Sequence, residues 1–529
     1  MSRLAPCLMV LGTSSGAGKS WLATALCRHY ANQGLKVAPF KAQNMSNNAR
    51  VVPGPDGQWG EMGSAQYFQA LAARAAPHVG MNPLLLKPEA DTRSQVVLMG
   101  QAHAALGALP WRQRSAQVWP HIAAALDALR AQHDLVVIEG AGSPAEINLY
   151  ESDVVNLRVA RHAQARCLLV ADIDRGGAFA HLYGTWALLP PDDRALIRGF
   201  VLNKFRGDAA LLAPAPEQLQ QLTGVPTLAV LPLRRGHGLP EEDGVFDDTP
   251  SAGRAETLQA KSAIGAHPER ASSYIKNSED CGENRDLTPI SPIRHIAVIA
   301  YPRISNLDEF QPLKNVPGLR LSWARRPADL AGADTLILPG SKATVSDLAW
   351  LRAQGLDAAI AQHAAAGGRV LGICGGLQML GEALIDLHGV ESPGSQGNAP
   401  GLGLLPLVTS FEPRKTVRPT STGFGDVRGP WRALAGVPVS GYEIHSGQTA
   451  QHPALATKGD VAREVMPGLA WQNTAGNVLG CYLHGLFEDA AVLRALFGAA
   501  APSLDAVFDG LADDMARAFA PGALAALLR

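Results

Sequence analysis

The sequence predicts an α/β protein with two units: an N-terminal doubly wound parallel sheet carrying a phosphate-binding loop, and a C-terminal α/β unit. Three observations carry this. Short apolar runs alternate with helical stretches from Cys7 to Leu231, and again from His295 to Leu483, the rhythm of strands joined by crossover helices. The first of these runs leads straight into Gly12-Thr-Ser-Ser-Gly-Ala-Gly-Lys-Ser20. Between the two regions, residues 249–292 lose all periodicity and are dominated by Ser, Glu, Arg, Asn and Pro, which predicts a flexible polar linker or insert. The expected domains are therefore 1–248, the linker 249–292, and 293–529.

Bulk properties narrow the classes. A chain of 529 residues holds roughly two to four domains with full cores. Lys plus Arg number 46 against 47 Asp plus Glu, a formal net charge of −1, so no strong field recommends nucleic acid or an anionic membrane as partner. No apolar run approaches membrane-spanning length, and the N-terminus enters a strand without the features of a signal peptide. The six cysteines form no C-x-x-C pair, which argues against a disulfide framework or a zinc site. A reducing, cytoplasmic setting is expected.

In the first unit, strand Cys7–Gly12, the glycine-rich loop and a helix over about 20–33 form the context of a phosphate-binding loop. Loop N–H groups from Gly12, Thr13, Gly16 and Gly18 and the helix N-terminus are expected to face the phosphates of ATP. Lys19 supplies a charge to the β/γ-phosphates, and the Ser20 hydroxyl is placed to ligate Mg²⁺. The strict motif would put its first glycine where Thr13 stands; Gly12 lies one residue early. Strand 35–40 delivers Lys41-Ala-Gln-Asn-Met-Ser-Asn-Asn48 at its carboxyl end, where open α/β sheets gather ligands. Residues 51–60 read as a turn-rich excursion, and 61–76 as a helix. Strand 135–138 ends in Glu139, a Walker-B arrangement and a second Mg²⁺ candidate. By loop position, Lys41, Asn44, Asn82 and Asn148 are substrate-contact candidates.

In the second unit, Val370 to Ile373 reads as a buried strand, and Gly372-Ile-Cys-Gly-Gly376 turns it sharply into a helix. A nucleophile on such an elbow is lifted out of the sheet beside N–H groups able to stabilise an oxyanion. A packed structural Cys is the alternative, but one would not need the flanking glycines. A thiol nucleophile needs a base, and His445 and His484 both follow apolar strands. His484 has the more open setting, next to Gly485. Gly340 and Gly375 are the candidate oxyanion donors. A nucleotide site together with a Cys/His acyl-transfer site suits nitrogen transfer. A carboxylate resists amidation until phosphorylated, and neutral water holds ammonia mostly as non-nucleophilic ammonium. Residues 412–430 read as loop-rich, and helices near 489–497 and 503–519 close the chain.

The second half resembles the class I glutamine amidotransferases through Leu338-Pro-Gly-Ser341, Gly372-Ile-Cys-Gly-Gly376 and His484. The first half resembles the dethiobiotin synthetase-like ATPases through the glycine-rich loop and Glu139-Gly-Ala-Gly142. Lys41 to Ser46, Met81 to Pro88, Glu139 to Asn148, Ala171 to Gly177 and Asn203-Lys-Phe-Arg-Gly-Asp208 further make the whole similar to the cobyric acid synthase family. That resemblance implies a C–N ligase using glutamine, ATP and Mg²⁺ to amidate carboxylates b, d, e and g of a corrinoid, adenosylcobyrinic acid a,c-diamide. It also implies Cys374 and His484 as catalytic and Asn203 as an ATP residue.

Two features depart from the pattern. Many class I glutaminases carry Glu two residues after the catalytic His, where this chain has Leu486. Glu443 and Glu488 are the candidates left for a third member, unless a dyad suffices. The 249–292 stretch is also unexpected in the family. The rival within the architecture is cobyrinic acid a,c-diamide synthase, disfavoured by Ala42-Gln-Asn-Met45 after Lys41. A rival of another class is a ParA-like regulatory ATPase, which has no use for the Cys374/His484 half.

Overall fold

The computed structural model describes residues 4–90, 93–240, 294–391, 398–499 and 501–529, so the 249–292 linker lies outside the described residues. In the first unit, β1 (Cys7–Gly12), β2 (Val37–Phe40), β5 (Leu135–Glu139), β6 (Arg166–Asp172), β7 (Ile197–Phe205) and β8 (Thr227–Pro232) form one sheet, ordered β8-β7-β6-β1-β5-β2. Every pairing in it is parallel. The central strands are apolar on both faces because helices cover both sides, as a parallel sheet requires. All six carboxyl ends therefore share one edge, and Lys41, Glu139, Asp172 and Asn203 lie along it. Helix α1 (Lys19–Asn32) follows β1.

One local expectation is corrected. The stretch over 51–60 belongs to a β-hairpin, β3 (Ala49–Pro53) with β4 (Trp59–Gly63), and the helix begins only at Ser64. Val51-Val52 favour extended backbone, and Pro53-Gly-Pro-Asp-Gly57 closes the turn between the strands.

The second unit is built on β9 (Arg294–Ile299), β10 (Leu319–Ala324), β11 (Thr335–Leu338), β12 (Arg369–Ile373), β15 (Arg463–Met466), β16 (Ala470–Gln472) and β17 (Val478–Cys481), ordered β10-β9-β11-β12-β17-β16-β15. Five strands run parallel, and β16 and β15 extend the sheet antiparallel. A long ribbon, β13 (Leu407–Gly423) with β14 (Pro438–Gln451), stands off this sheet. The loop-rich reading of 412–430 is thus corrected up to Gly423. Its outer part has no buried residue, so no apolar alternation marks it in the sequence, and cross-strand pairing holds it.

The chain then returns. Helix α3 (Leu504–Ala518) buries Phe508, Leu511 and Met515 against Leu22, Leu26, Leu8 and Val10 of the first unit. Buried Arg28 of α1 reaches out to Asp505 at 2.6 Å and Asp509 at 2.7 Å. Ala520 N donates to Leu228 O at the edge of the first sheet. Residues 503–529 were expected with the second unit; their packing is with the first, because α3's apolar face meets α1. Among the described residues, no helix is long and apolar enough to cross a membrane.

Candidate active sites

The glycine-rich loop wraps its own lysine. Lys19 Nζ donates to Ser14 O at 2.9 Å and to Gly142 O at 3.2 Å, so the ammonium stands over the loop beside the turn that follows β5. A Cβ on Gly12 would fall 3.0 Å from this side chain, which is why a glycine sits there, one residue ahead of the strict motif. Gly18 has φ +97°, and a Cβ on it would meet Asn203 Nδ2 at 1.9 Å. Asn203 braces the loop, donating to Ala17 O at 2.8 Å. The Thr13 amide, expected to face the phosphates, is instead spent on Val170 O at 2.9 Å, because the loop leaves the sheet only after it; Gly16 O accepts from Lys204 Nζ.

Glu139 is the hub of this edge. Its buried carboxylate accepts from Ser20 Oγ at 2.8 Å, Lys41 Nζ at 2.9 Å and Gln69 Nε2 at 2.5 Å. Burial pushes its pKa up, but Lys41, Gln69 and Ser20 outweigh this and hold it below the usual range, so it stays ionised. An ionised carboxylate touching a serine hydroxyl fits Mg²⁺, which binds through one or two protein oxygens and completes its shell with phosphates and water. Gln69 was not expected from sequence; it faces Glu139 from the helix Ser64–Ala72.

The candidate corrinoid contacts separate. Asn82 is buried and donates to Lys41 O and Leu84 O while accepting from Gly63 N, so it braces loops. Asn44 is also buried. Asn148 is exposed and lines a surface pocket with Arg112, Tyr150 and Leu188, none of which belongs to the P-loop edge.

The second site follows from strand order. β12 lies between β11 and β17, so the segments leaving these strands bring Gly340, Cys374 and His484 together. Cys374 has φ +51° and ψ −106°, the strained backbone of a nucleophile elbow, and α2 (Gly375–Leu380) starts directly after it. Its thiol donates to Ile444 O at 3.6 Å. Gly340 lies against the His484 ring: a Cβ there would come within 2.9 Å of Cε1. A Cβ at Gly375 would lie 2.8 Å from the Ser341 amide nitrogen, so Ser341 N, unforeseen in the sequence, sits closest to Gly375.

Glu309 completes the arrangement. It lies fully buried on the one-turn helix Leu307–Phe310, with Oε1 3.3 Å from His484 Nδ1, while its Oε2 accepts from Gly485 N at 3.2 Å. Burial disfavours the His484 imidazolium, but Glu309 and then Cys374 outweigh it and raise the ring to about 10. Neither Glu443 nor Glu488 fills this place: Glu443 pairs with His445 and Arg418, and Glu488 with Arg50. His445, stacked on Tyr482 at 3.9 Å, belongs to that other cluster. The only sequence trace of Glu309 is an Asp-Glu pair held between Leu307 and Phe310 after the first strand of the unit.

Fold and sites together define a two-unit glutamine amidotransferase, in which a P-loop nucleotide-binding unit is joined to a Cys/His glutaminase-type unit. Comparison with known proteins agrees. Residues 8–242 match the "CobQ/CobB/MinD/ParA nucleotide binding domain" and residues 295–492 the "CobB/CobQ-like glutamine amidotransferase domain". The chain is 71% identical over 532 residues to a protein of Acidovorax ebreus (strain TPSY) named cobyric acid synthase, covering 99% of each chain. It is 72% identical over 523 residues to one of the same name from Acidovorax sp. (strain JS42), covering 99% of this chain and 98% of that one. The chain belongs to the cobyric acid synthase family.

Proposed function

We propose that the two sites act in series to amidate the b, d, e and g carboxylates of adenosylcobyrinic acid a,c-diamide. Family membership makes the protein a glutamine-dependent C–N ligase of cobalamin biosynthesis. Cys374, its thiol proton passed to His484, attacks the side-chain amide carbon of glutamine. The amides of Gly375 and of Gly340 or Ser341 hold the developing oxyanion. His484, oriented by Glu309, gives a proton to the leaving nitrogen, so ammonia departs and a thioester remains. Water then attacks the thioester, His484 taking its proton, and glutamate leaves.

At the other site a substrate carboxylate takes the γ-phosphoryl group of ATP, and ADP leaves. Lys19 and the loop amides hold the phosphates, while Asn203 fixes the loop's shape. Ser20 and Glu139 would hold Mg²⁺, which when bound neutralises charge on the β/γ-phosphates. Ammonia then displaces phosphate from the acyl phosphate, forming the amide. The five described cysteines are free and buried, which suits a reducing cytoplasm.

The observation that carries this reading is the Glu309–His484–Cys374 constellation in one chain with the Lys19–Ser20–Glu139 cradle. Mass spectrometry of the corrinoid after incubation with ATP, Mg²⁺ and glutamine tests it. Four amide groups added to the a,c-diamide are expected; none on the a,c-diamide but two on cobyrinic acid itself would favour the a,c-diamide reaction, and none on either would sink the ligase mechanism.

A further inference from the structure

The turn that carries Glu309 is not held by its own unit alone. Asn306 opens it with φ +53°. Its Oδ1 accepts from Ala49 N at 3.0 Å, and Leu307 N donates in return to Asn48 Oδ1 at 2.8 Å. Both partners lie at the start of the first unit's hairpin, β3. Arg50, one residue on, is buried and forms ion pairs with Asp308 and, at 2.6 Å, with Glu488. Asp308 precedes Glu309, and Glu488 lies four residues beyond His484. The same guanidinium stands 5.2 Å over the ring of Tyr442. Tyr442 in turn stacks on His484 with ring centroids 5.4 Å apart, and the two backbones exchange hydrogen bonds at 3.2 and 2.9 Å.

We infer that Asn48 and Arg50 of the first unit are positioning residues for the glutamine site of the second, holding the Asn306–Phe310 turn so that Glu309 meets His484. The inference rests on the glutaminase reading of Cys374 and His484. Apolar contact would suffice to join the units: Ala49, Leu85 and Val97 already pack against Tyr442 and Ile444. A buried guanidinium is a costly addition to such a seam unless its charge is matched on both sides. Here the matching groups flank the catalytic histidine. Ile444, whose carbonyl takes the Cys374 thiol hydrogen, lies in the same seam. Both reacting side chains thus lean on surface that the first unit covers, and the base is fully oriented only in the docked pair.

The test uses the full chain. Glutamine hydrolysis is followed as kcat and KM, and ammonia-driven amide formation is measured on the same preparations. Arg50→Gln should lower kcat for glutamine about 10- to 100-fold with KM within about threefold. Ammonia-driven synthesis should stay within about twofold, and Arg50→Lys should recover part of the loss. Added to Glu309→Gln, Arg50→Gln should cost less than about a further threefold, because both act through one imidazole. Asp308→Asn, from the other side of the ion pair, must show the same split and serves if Arg50→Gln does not fold. An unchanged kcat for glutamine, equal losses with glutamine and ammonia, or full multiplication of the Arg50 and Glu309 effects would each overturn the inference. A Cys374→Ser protein that still hydrolyses glutamine would instead remove the site assignment beneath it.

Discussion

The nucleotide edge and the glutamine elbow are both built at the carboxyl ends of parallel strands, but they draw on the chain differently. At the nucleotide edge, every group comes from the first unit, gathered around one glycine-rich loop. Lys19 folds over its own loop, and Ser20, Lys41 and Gln69 converge on Glu139, all within the first unit. The glutamine elbow takes Glu309, Gly340, Cys374 and His484 from four separate segments, and its acid is steadied by a hairpin of the other unit. The first site is complete within one unit; the second needs both. The first site should therefore withstand damage to the second, while the second depends on the first.

The sharpest break of that comparison is Cys374→Ser. Glutamine-driven synthesis should fall at least about 10³-fold while ammonia-driven synthesis persists. Lys19→Ala should lose about 10³-fold with either nitrogen source, since phosphoryl transfer serves both. Ammonia-driven activity surviving in that variant would separate Lys19 from activation of the carboxylate. Phe508→Ala probes a dependence in the other direction, of the first unit's core on the end of the chain. Emptying this buried site should cost about 3 kcal/mol in urea unfolding. Glu309→Gln should reduce kcat for glutamine about 10²-fold and leave ammonia-driven synthesis in place.

A further effect is read from pH. His484 is raised from 6.5 to about 10 in the fold, so its pairing contributes stability in full below about 6.5. That contribution is lost as pH climbs through about 10, so the native protein should weaken across this interval. Glu309→Gln should flatten the slope, as urea unfolding across the same interval would reveal. An unchanged slope would mean that Glu309 is not what raises the ring.

This contrast also explains what the sequence made legible. The P-loop could be read because its glycines, lysine and serine are contiguous, and Glu139 because a buried strand ends on it. Cys374 could be read because an elbow needs glycines on both sides. Glu309 could not: it lies 175 residues before His484, and nothing local distinguishes a carboxylate that meets the histidine from another acid in a turn. The β3–β4 hairpin was hidden by its turn residues, and the outer half of β13 by the lack of a buried apolar face. Helix α3 was legible as amphipathic, but a periodic apolar face says only that something will cover it, not which core does.

The homecoming of α3 changes what joins the two units. The chain leaves the first unit, builds the second, and ends by threading its last long helix back into the core it began with. The second unit is thus an insertion, fastened at both ends. A cut anywhere in 241–293 would leave it leashed through α3, and separation would require pulling Phe508, Leu511 and Met515 out of the first core. Even a nicked chain would keep the two sites at a high effective concentration of one another. On the proposed mechanism, ammonia formed at Cys374 would still be released beside the unit that uses it.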